Sequence, residues 1–261
     1  MIVCEGPLLV VSAYPELTLP QGDDGNVLVL AHRARAHGLE AETKTVHCGD
    51  ELPPADVYVT GGLEDEDQGE LARWLASGGG LQRAVEAGAA VLAVNSGYQV
   101  LGERFTLPDG SERDGLGLLD VRTRRGDTWV DGPVVTRPND DLGLPVLSGY
   151  ESHYGVTELG AGVAPLALLE IGQGNAGGES RGAGESGGPR ASDGAVAGRV
   201  LGTYLHGPAL ARNPELADLL LSLVLGRTLE PLPASFAEES RQARIAEARD
   251  WVRRGRPHVK M

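Results

Sequence analysis

Asn95 stands where strand, turn and helix meet, in the segment Gly88-Ala89-Ala90-Val91-Leu92-Ala93-Val94-Asn95-Ser96-Gly97-Tyr98-Gln99-Val100-Leu101-Gly102. A short apolar, β-rich run enters a tight turn and a helix follows at once. That layout exposes one turn side chain beside backbone N–H donors, as a nucleophile elbow does. A carboxamide in that place is a poor nucleophile, with no acidic proton in the useful range and no lone pair comparable to a thiolate's. Asn does tolerate positive φ better than most non-glycine residues, so it suits a strained turn. Ser96, one residue on, carries a hydroxyl that needs a well-placed base before it attacks anything. An imidazole that fits the part of base is His206, in Gly202-Thr203-Tyr204-Leu205-His206-Gly207-Pro208. On residue type alone, a single histidine is more often structural.

Other groups are weaker signals. Gly61-Gly62 at the end of a strand reads first as turn chemistry. Glu151-Ser152-His153 reads equally as a hydrogen-bonded loop anchor. The cysteines are Cys4 and Cys48 alone. They lack metal-ligand spacing, lie far from the elbow in sequence, and are expected to be inert residues at the edge of the core.

Six segments taken together resemble the class I glutamine amidotransferases, in which Cys-x-Gly-x-Gln stands at the elbow. They are Gly22-Asp23-Asp24-Gly25-Asn26; Gly61-Gly62-Leu63-Glu64-Asp65 with Gln68; the elbow; Gly115-Leu116-Gly117-Leu118-Leu119-Asp120; Gly149-Tyr150-Glu151-Ser152-His153; and Gly202 to Pro208 with Ala211-Arg212-Asn213-Pro214. More narrowly, the chain is similar to the CobB/CobQ-type branch, and within it to glutaminase subunits of the lipid II isoglutaminyl synthase type, which partner a Mur-ligase-like subunit. Gly97 and Gln99 fix the register, so the resemblance puts Asn95 at the nucleophile position with the cysteine lost, and His206 at the base position. It implies one oxyanion N–H from Gly61-Gly62-Leu63 and another from Ser96. Glu151 and His153 match a Glu-x-His element of the branch. Pro208 stands two residues after His206, where triad-type members place an acid; the CobB/CobQ branch lacks that acid too. The related glutaminases hold the substrate carboxylate with an arginine shortly after Gly-Leu-Gly. Thr128 aligns there, with Arg124 and Arg125 close by.

The function this implies is that of a glutamine amidotransferase-like subunit without glutaminase activity. It would be a heterodimeric, non-catalytic partner of a Mur-ligase-like, ATP-dependent amide-forming enzyme in a specialised biosynthetic pathway. The old pocket could hold glutamine or a related small amine. The alternatives are an active glutaminase using Ser96 and an active glutaminase trapped by substitution of its cysteine. No cofactor and no metal are expected.

The elements that must position these groups follow from pattern and composition. The chain has 261 residues, 41% hydrophobic and only 4% aromatic, so its core must be mostly Leu, Val and Ala. A formal charge of −14 argues against nucleic acid or an anionic membrane as partner. No run of 18 apolar residues and no signal-peptide layout occurs, so a cytoplasmic location without membrane insertion is expected. Strands are predicted over residues 8–13, 40–47, 56–60, 91–94 and 200–205. Helices are predicted over 26–37, 68–75, 81–87 and 213–225, with one opening at Gln99. This alternation implies an α/β fold, and the resemblance makes it the three-layer, flavodoxin-like sheet of the class I amidotransferases, mostly parallel with an antiparallel extension. The extension is expected from strands over 118–122, 129–136, 146–150 and 167–171. Residues 172–198 read as a Gly-rich mobile loop inside a domain of residues 1–228, and residues 229–261 as a charged helical C-terminal tail.

Overall fold

The computed structural model describes residues 6–18, 25–63, 65–179, 191–206, 208–233 and 236–254. Cys4, Gly22-Asp23-Asp24, Glu64 and Gly207 lie outside them, as do residues 180–190 of the Gly-rich stretch and 255–261 of the tail. In chain order the strands are β1 Leu8–Ala13, β2 Ala41–Val46, β3 Val57–Thr60, β4 Ala90–Val94, β5 Arg104–Thr106, β6 Glu112–Asp114, β7 Val121–Thr136, β8 Ser148–Leu159, β9 Ala167–Ile171, β10 Ser192–Asp193, β11 Ala195–Ala197 and β12 Val200–Thr203. The helices are α1 Gly25–Ala36, α2 Gln68–Ala76, α3 Gly80–Glu86, α4 Ser96–Leu101, α5 Ala209–Arg212, α6 Pro214–Leu225 and α7 Phe236–Arg253.

The main sheet runs β11-β12-β4-β3-β1-β2, parallel except for β11 against β12. Its inner strands are apolar on both faces, because helices cover both, while the edge strand β2 exposes residues 42–45. Val10, Leu92 and Leu201 pack with Leu30 of α1 and Leu220 of α6 on one side. Val11, Val91 and Val200 pack with Leu71, Leu81 and Tyr98 of α2, α3 and α4 on the other. The result is the three-layer α/β architecture expected. Leu92 and Leu220 are fully buried, so truncating either to Ala costs about 2–5 kcal/mol.

The strands expected over 118–171 do not extend this sheet; its antiparallel member is β11. They form a second sheet, β10-β9-β7-β5-β6 with β8 on β7. β4 already has β3 and β12 on its edges, and β7 alternates buried and exposed residues through Val121–Arg124. One dry face and one wet face are what an antiparallel sheet accommodates. The two strands predicted over 118–136 are one, β7, with a register shift between Arg125 and Val130.

The stretch 172–198 is not one structureless loop. A 3-10 turn, Gly174–Glu179, opens it, and β10 and β11 close it. Side chains compensate for the missing apolar period. Asn175 donates to Gly194 O at 2.8 Å, and Glu151 accepts the N–H groups of Gln173 and Gly174, each at 2.7 Å. α7 docks on the second sheet. Its Ile245 and Ala248 pack with Val135 and Ile171, its buried Arg241 pairs with Glu215, and Arg249 holds Glu170 through two 2.7 Å bonds.

Candidate functional site

β4 is buried along its whole length and delivers the chain to Asn95 at φ 51°, ψ −116°. Tyr14 and Asn95 are the non-glycine residues with positive φ among those described. Such a backbone persists only where its surroundings over-determine it. Here Asn95 N donates to Thr203 O at 2.8 Å, and Asn95 O accepts from Gln99 N at 3.2 Å, the first turn of α4. A Cβ on Gly97 would lie 3.0 Å from Thr60 Cγ2 and 3.1 Å from Gly61 O. Glycine there lets α4 start against the loop 61–63, which is the physical meaning of the Gly97 in the motif.

The side chain of Asn95 is buried. Its Nδ2 lies 2.6 Å from His206 Nε2 and donates to Ser152 O at 3.2 Å. Since a carbonyl only accepts, the amide nitrogen must face Ser152, and His206 Nε2 is then the acceptor in its pair. The side-chain oxygen Oδ1 of Asn95 has no hydrogen-bond partner among the described residues. His206 is buried and its backbone N–H donates to Tyr150 O at 2.7 Å, so β8 holds both halves of the pair.

Ser96 points elsewhere. Its buried hydroxyl donates to Leu63 O at 2.9 Å, fastening α4 to the loop Gly61-Gly62-Leu63. Gln99 is buried and accepts from Gln68 Nε2 at 3.0 Å. Gln68 also reaches Asp65 at 3.4 Å, and Asp65 pairs with Arg125, whose guanidinium lies 3.9 Å from the centre of the Tyr154 ring. Arg125, Asp65 and Gln68 thus form a polar chain ending on α4. Sequence reading placed Arg125 only near the aligned position and gave it no role. Thr128 itself is exposed, on the irregular stretch of β7.

Glu151 and His153 flank Ser152 but serve the far side of β8. Glu151 is fully buried and anchors the turn at Gln173 and Gly174. His153 donates from Nδ1 to Gly155 O at 3.1 Å and stacks on Tyr204 at 3.7 Å, with its Nε2 3.6 Å from Glu151 Oε2. Beneath them sits Asp193, also fully buried, which accepts from the Thr203 hydroxyl and from Tyr204 N at 3.1 Å. Burial raises its carboxyl to about 7, and nearby Glu151 adds to the rise. Asp193 therefore braces the strand end that binds Asn95 N and carries His206. It escaped the sequence reading because it lies in Gly-rich composition; an acid next to a short β-like run was its one signal.

Cys48 is half-buried, and burial together with Glu16 pushes its thiol up to about 11. At neutral pH it holds almost no thiolate. Among the described residues no group of three or more His, Cys, Asp and Glu side chains is placed to hold a metal, and no helix is long and apolar enough to cross a membrane.

Residues 24–214 match the model of the CobB/CobQ-like glutamine amidotransferase domain. The chain is 31% identical over 202 residues to the lipid II isoglutaminyl synthase (glutamine-hydrolyzing) subunit GatD of Staphylococcus aureus, covering 76% of each chain. It is 28% identical over 222 residues to the subunit of the same name from Streptococcus pneumoniae, covering 84% of this chain and 80% of the other. A cobyric acid synthase of Limosilactobacillus reuteri is 30% identical over 209 residues, but this chain spans only 38% of its length. Among solved structures, a glutamine amidotransferase from Thermotoga maritima superposes with TM-score 0.53 at 15% identity, covering 96% of this chain and 98% of that one. Another glutamine amidotransferase gives 0.52 at 20% identity, covering 82% and 98%. At these identities the likeness is one of fold.

Proposed function

The chain belongs to the CobB/CobQ-like glutamine amidotransferases, and from that premise we propose that it is a subunit of the family whose glutaminase chemistry has been lost. Asn95 takes the place of the nucleophilic cysteine. The partner is a Mur-ligase-like, ATP-dependent enzyme that forms amide bonds, and the two work as a cytoplasmic heterodimer in a specialised pathway. The relatives named as subunits of a glutamine-hydrolysing synthase support the association. One observation carries the loss of chemistry: the group 2.6 Å from His206 Nε2 at the positive-φ turn is a carboxamide nitrogen. A base beside an amide N–H has no thiol or hydroxyl to deprotonate, and the amide cannot open a covalent intermediate. Gly61-Gly62-Leu63 and Ser96 keep the frame of an oxyanion site, and the ligand held there is glutamine or a related small amine.

The Ser96 alternative is disfavoured because its hydroxyl is spent on Leu63 O, while His206 faces Asn95. The test is glutamate release from L-glutamine, by the chain alone and with its ligase partner. No release above background while the complex forms is expected. Turnover that disappears in both Ser96→Ala and His206→Ala would overturn the reading. Asn95→Cys, with and without Thr128→Arg, is expected to restore hydrolysis. A folded Asn95→Cys protein that stays inactive in both forms would mean the pocket itself has been rebuilt.

A further inference from the structure

On the other side of β8 from Glu151, between the second sheet and α7, lies a cavity of about 260 Å3. Pro133 and Val134 of β7, Ser148 and Tyr150 of β8, Arg212 of α5 and Trp251 of α7 line it, and Arg244 and Glu247 stand on its α7 side. Its size is near the lower end of small-molecule pockets. None of the elbow residues contributes to it.

Two features of this cavity lack an internal explanation. Arg212 is partly buried, and its guanidinium forms no hydrogen bond or ion pair among the described residues; instead Arg244 stands close enough to repel it. Burial first, and then Arg244, lower its affinity for its proton. A desolvated cation facing a like charge is costly unless an anion arrives. The acids that line the cavity do not meet this need. Asp131 accepts from the Tyr150 hydroxyl at 2.6 Å and the Ser152 hydroxyl at 3.0 Å, and Glu247 is exposed and pairs with neither arginine. The second feature is Ser148. Its N–H and carbonyl are clamped by Asn213, each at 2.9 Å, yet its buried hydroxyl has no partner. Asn213, next to Arg212, is thereby fully accounted for as a structural residue; Arg212 is not.

We propose that this cavity binds a small organic carboxylate with an apolar or aromatic body. The carboxylate lies between Arg212 and Arg244, within reach of Ser148, and the body rests on Pro133, Val134 and Trp251. Two guanidinium groups supply donors matched to a carboxylate, and the mixed wall of Pro, Val and Trp suits a ring or short hydrocarbon. The site is separate from the elbow and does not depend on what chemistry the elbow performs.

Benzoate is the probe, with benzamide as its uncharged twin, titrated into the full chain by calorimetry and followed by NMR. Saturable benzoate binding is expected, with benzamide weaker by about tenfold or more, since a charge-assisted pair is removed. The Trp251 indole and the Ser148 and Gly149 amides should shift. Arg212→Gln should weaken benzoate by about tenfold. Arg244→Gln, at an exposed position that does not threaten folding, should weaken it in the same direction. Equal binding of benzamide, no saturable benzoate binding in the millimolar range, shifts confined to Asn95 and its neighbours, or full affinity in folded Arg244→Gln and Arg212→Gln would each overturn the proposal.

Discussion

At the scale of single residues, Asn95 answers two demands. It accepts a backbone conformation that most side chains resist, and it bridges Ser152 O and His206 Nε2 through one amide nitrogen. Asn95→Ala keeps the strain and loses both bonds, so it should cost about 1–3 kcal/mol in denaturant unfolding. Asn95→Gly relieves the strain and should cost less than the alanine variant. Equal losses in the two would show that the backbone at this turn is not strained. Asn95, Ser96, Gln99 and the glycines of the elbow were legible in the sequence because their spacing is local and set by one turn. His206 was legible only through resemblance, since nothing within its own strand marks it as more than a structural imidazole. The chain Arg125–Asp65–Gln68 was not legible: ion pairs spanning 60 residues leave no periodic trace.

At the scale of elements, β12 is the piece on which the site depends, and Asp193 holds its end. Its folded carboxyl lies at about 7 against 3.8 in the unfolded chain, so the fold favours the protonated form. The contribution of Asp193 is therefore fully present below about pH 4 and is lost as pH rises through about 7. The loss is of the order of 4 kcal/mol at most for a shift of this size. Asp193→Asn should leave stability little changed at about pH 4 and raise it relative to the parent at about pH 8, in urea unfolding at the two values. A difference between parent and variant that does not grow with pH would refute this. The parallel strands and their helices were readable, because two-sided burial writes continuous apolar runs. The second sheet was not, because alternation marks a half-buried strand without naming the sheet it joins. The short strands β10 and β11 were hidden for a different reason. Glycine-rich composition hides segments whose order comes from partners such as Asn175 and Glu151 rather than from their own side chains.

At the scale of the whole molecule, α7 ties the chain's end to the second sheet and roofs the cavity beside β8. Ending the chain after residue 233 would expose Val135 and Ile171 and leave Glu215 without Arg241. Such a truncation should lower the unfolding midpoint by several degrees, roughly what a loss of 1–2 kcal/mol produces in a domain of this size. It should also abolish benzoate binding. An unchanged midpoint would mean that α7 contributes nothing to stability.

β12 lies directly beside β4 in the sheet although more than a hundred residues separate them, and its Thr203 supplies the carbonyl that seats Asn95. A ribosome making this chain therefore releases the elbow long before the elbow can close. Until β12 emerges, one edge of β4 stays bare, an apolar strand with unpaired amides of the kind that chaperones cover and aggregates recruit. The site is thus assembled only after β12 has been made, and any partner that reads its closed geometry meets only chains in which β12 has joined β4.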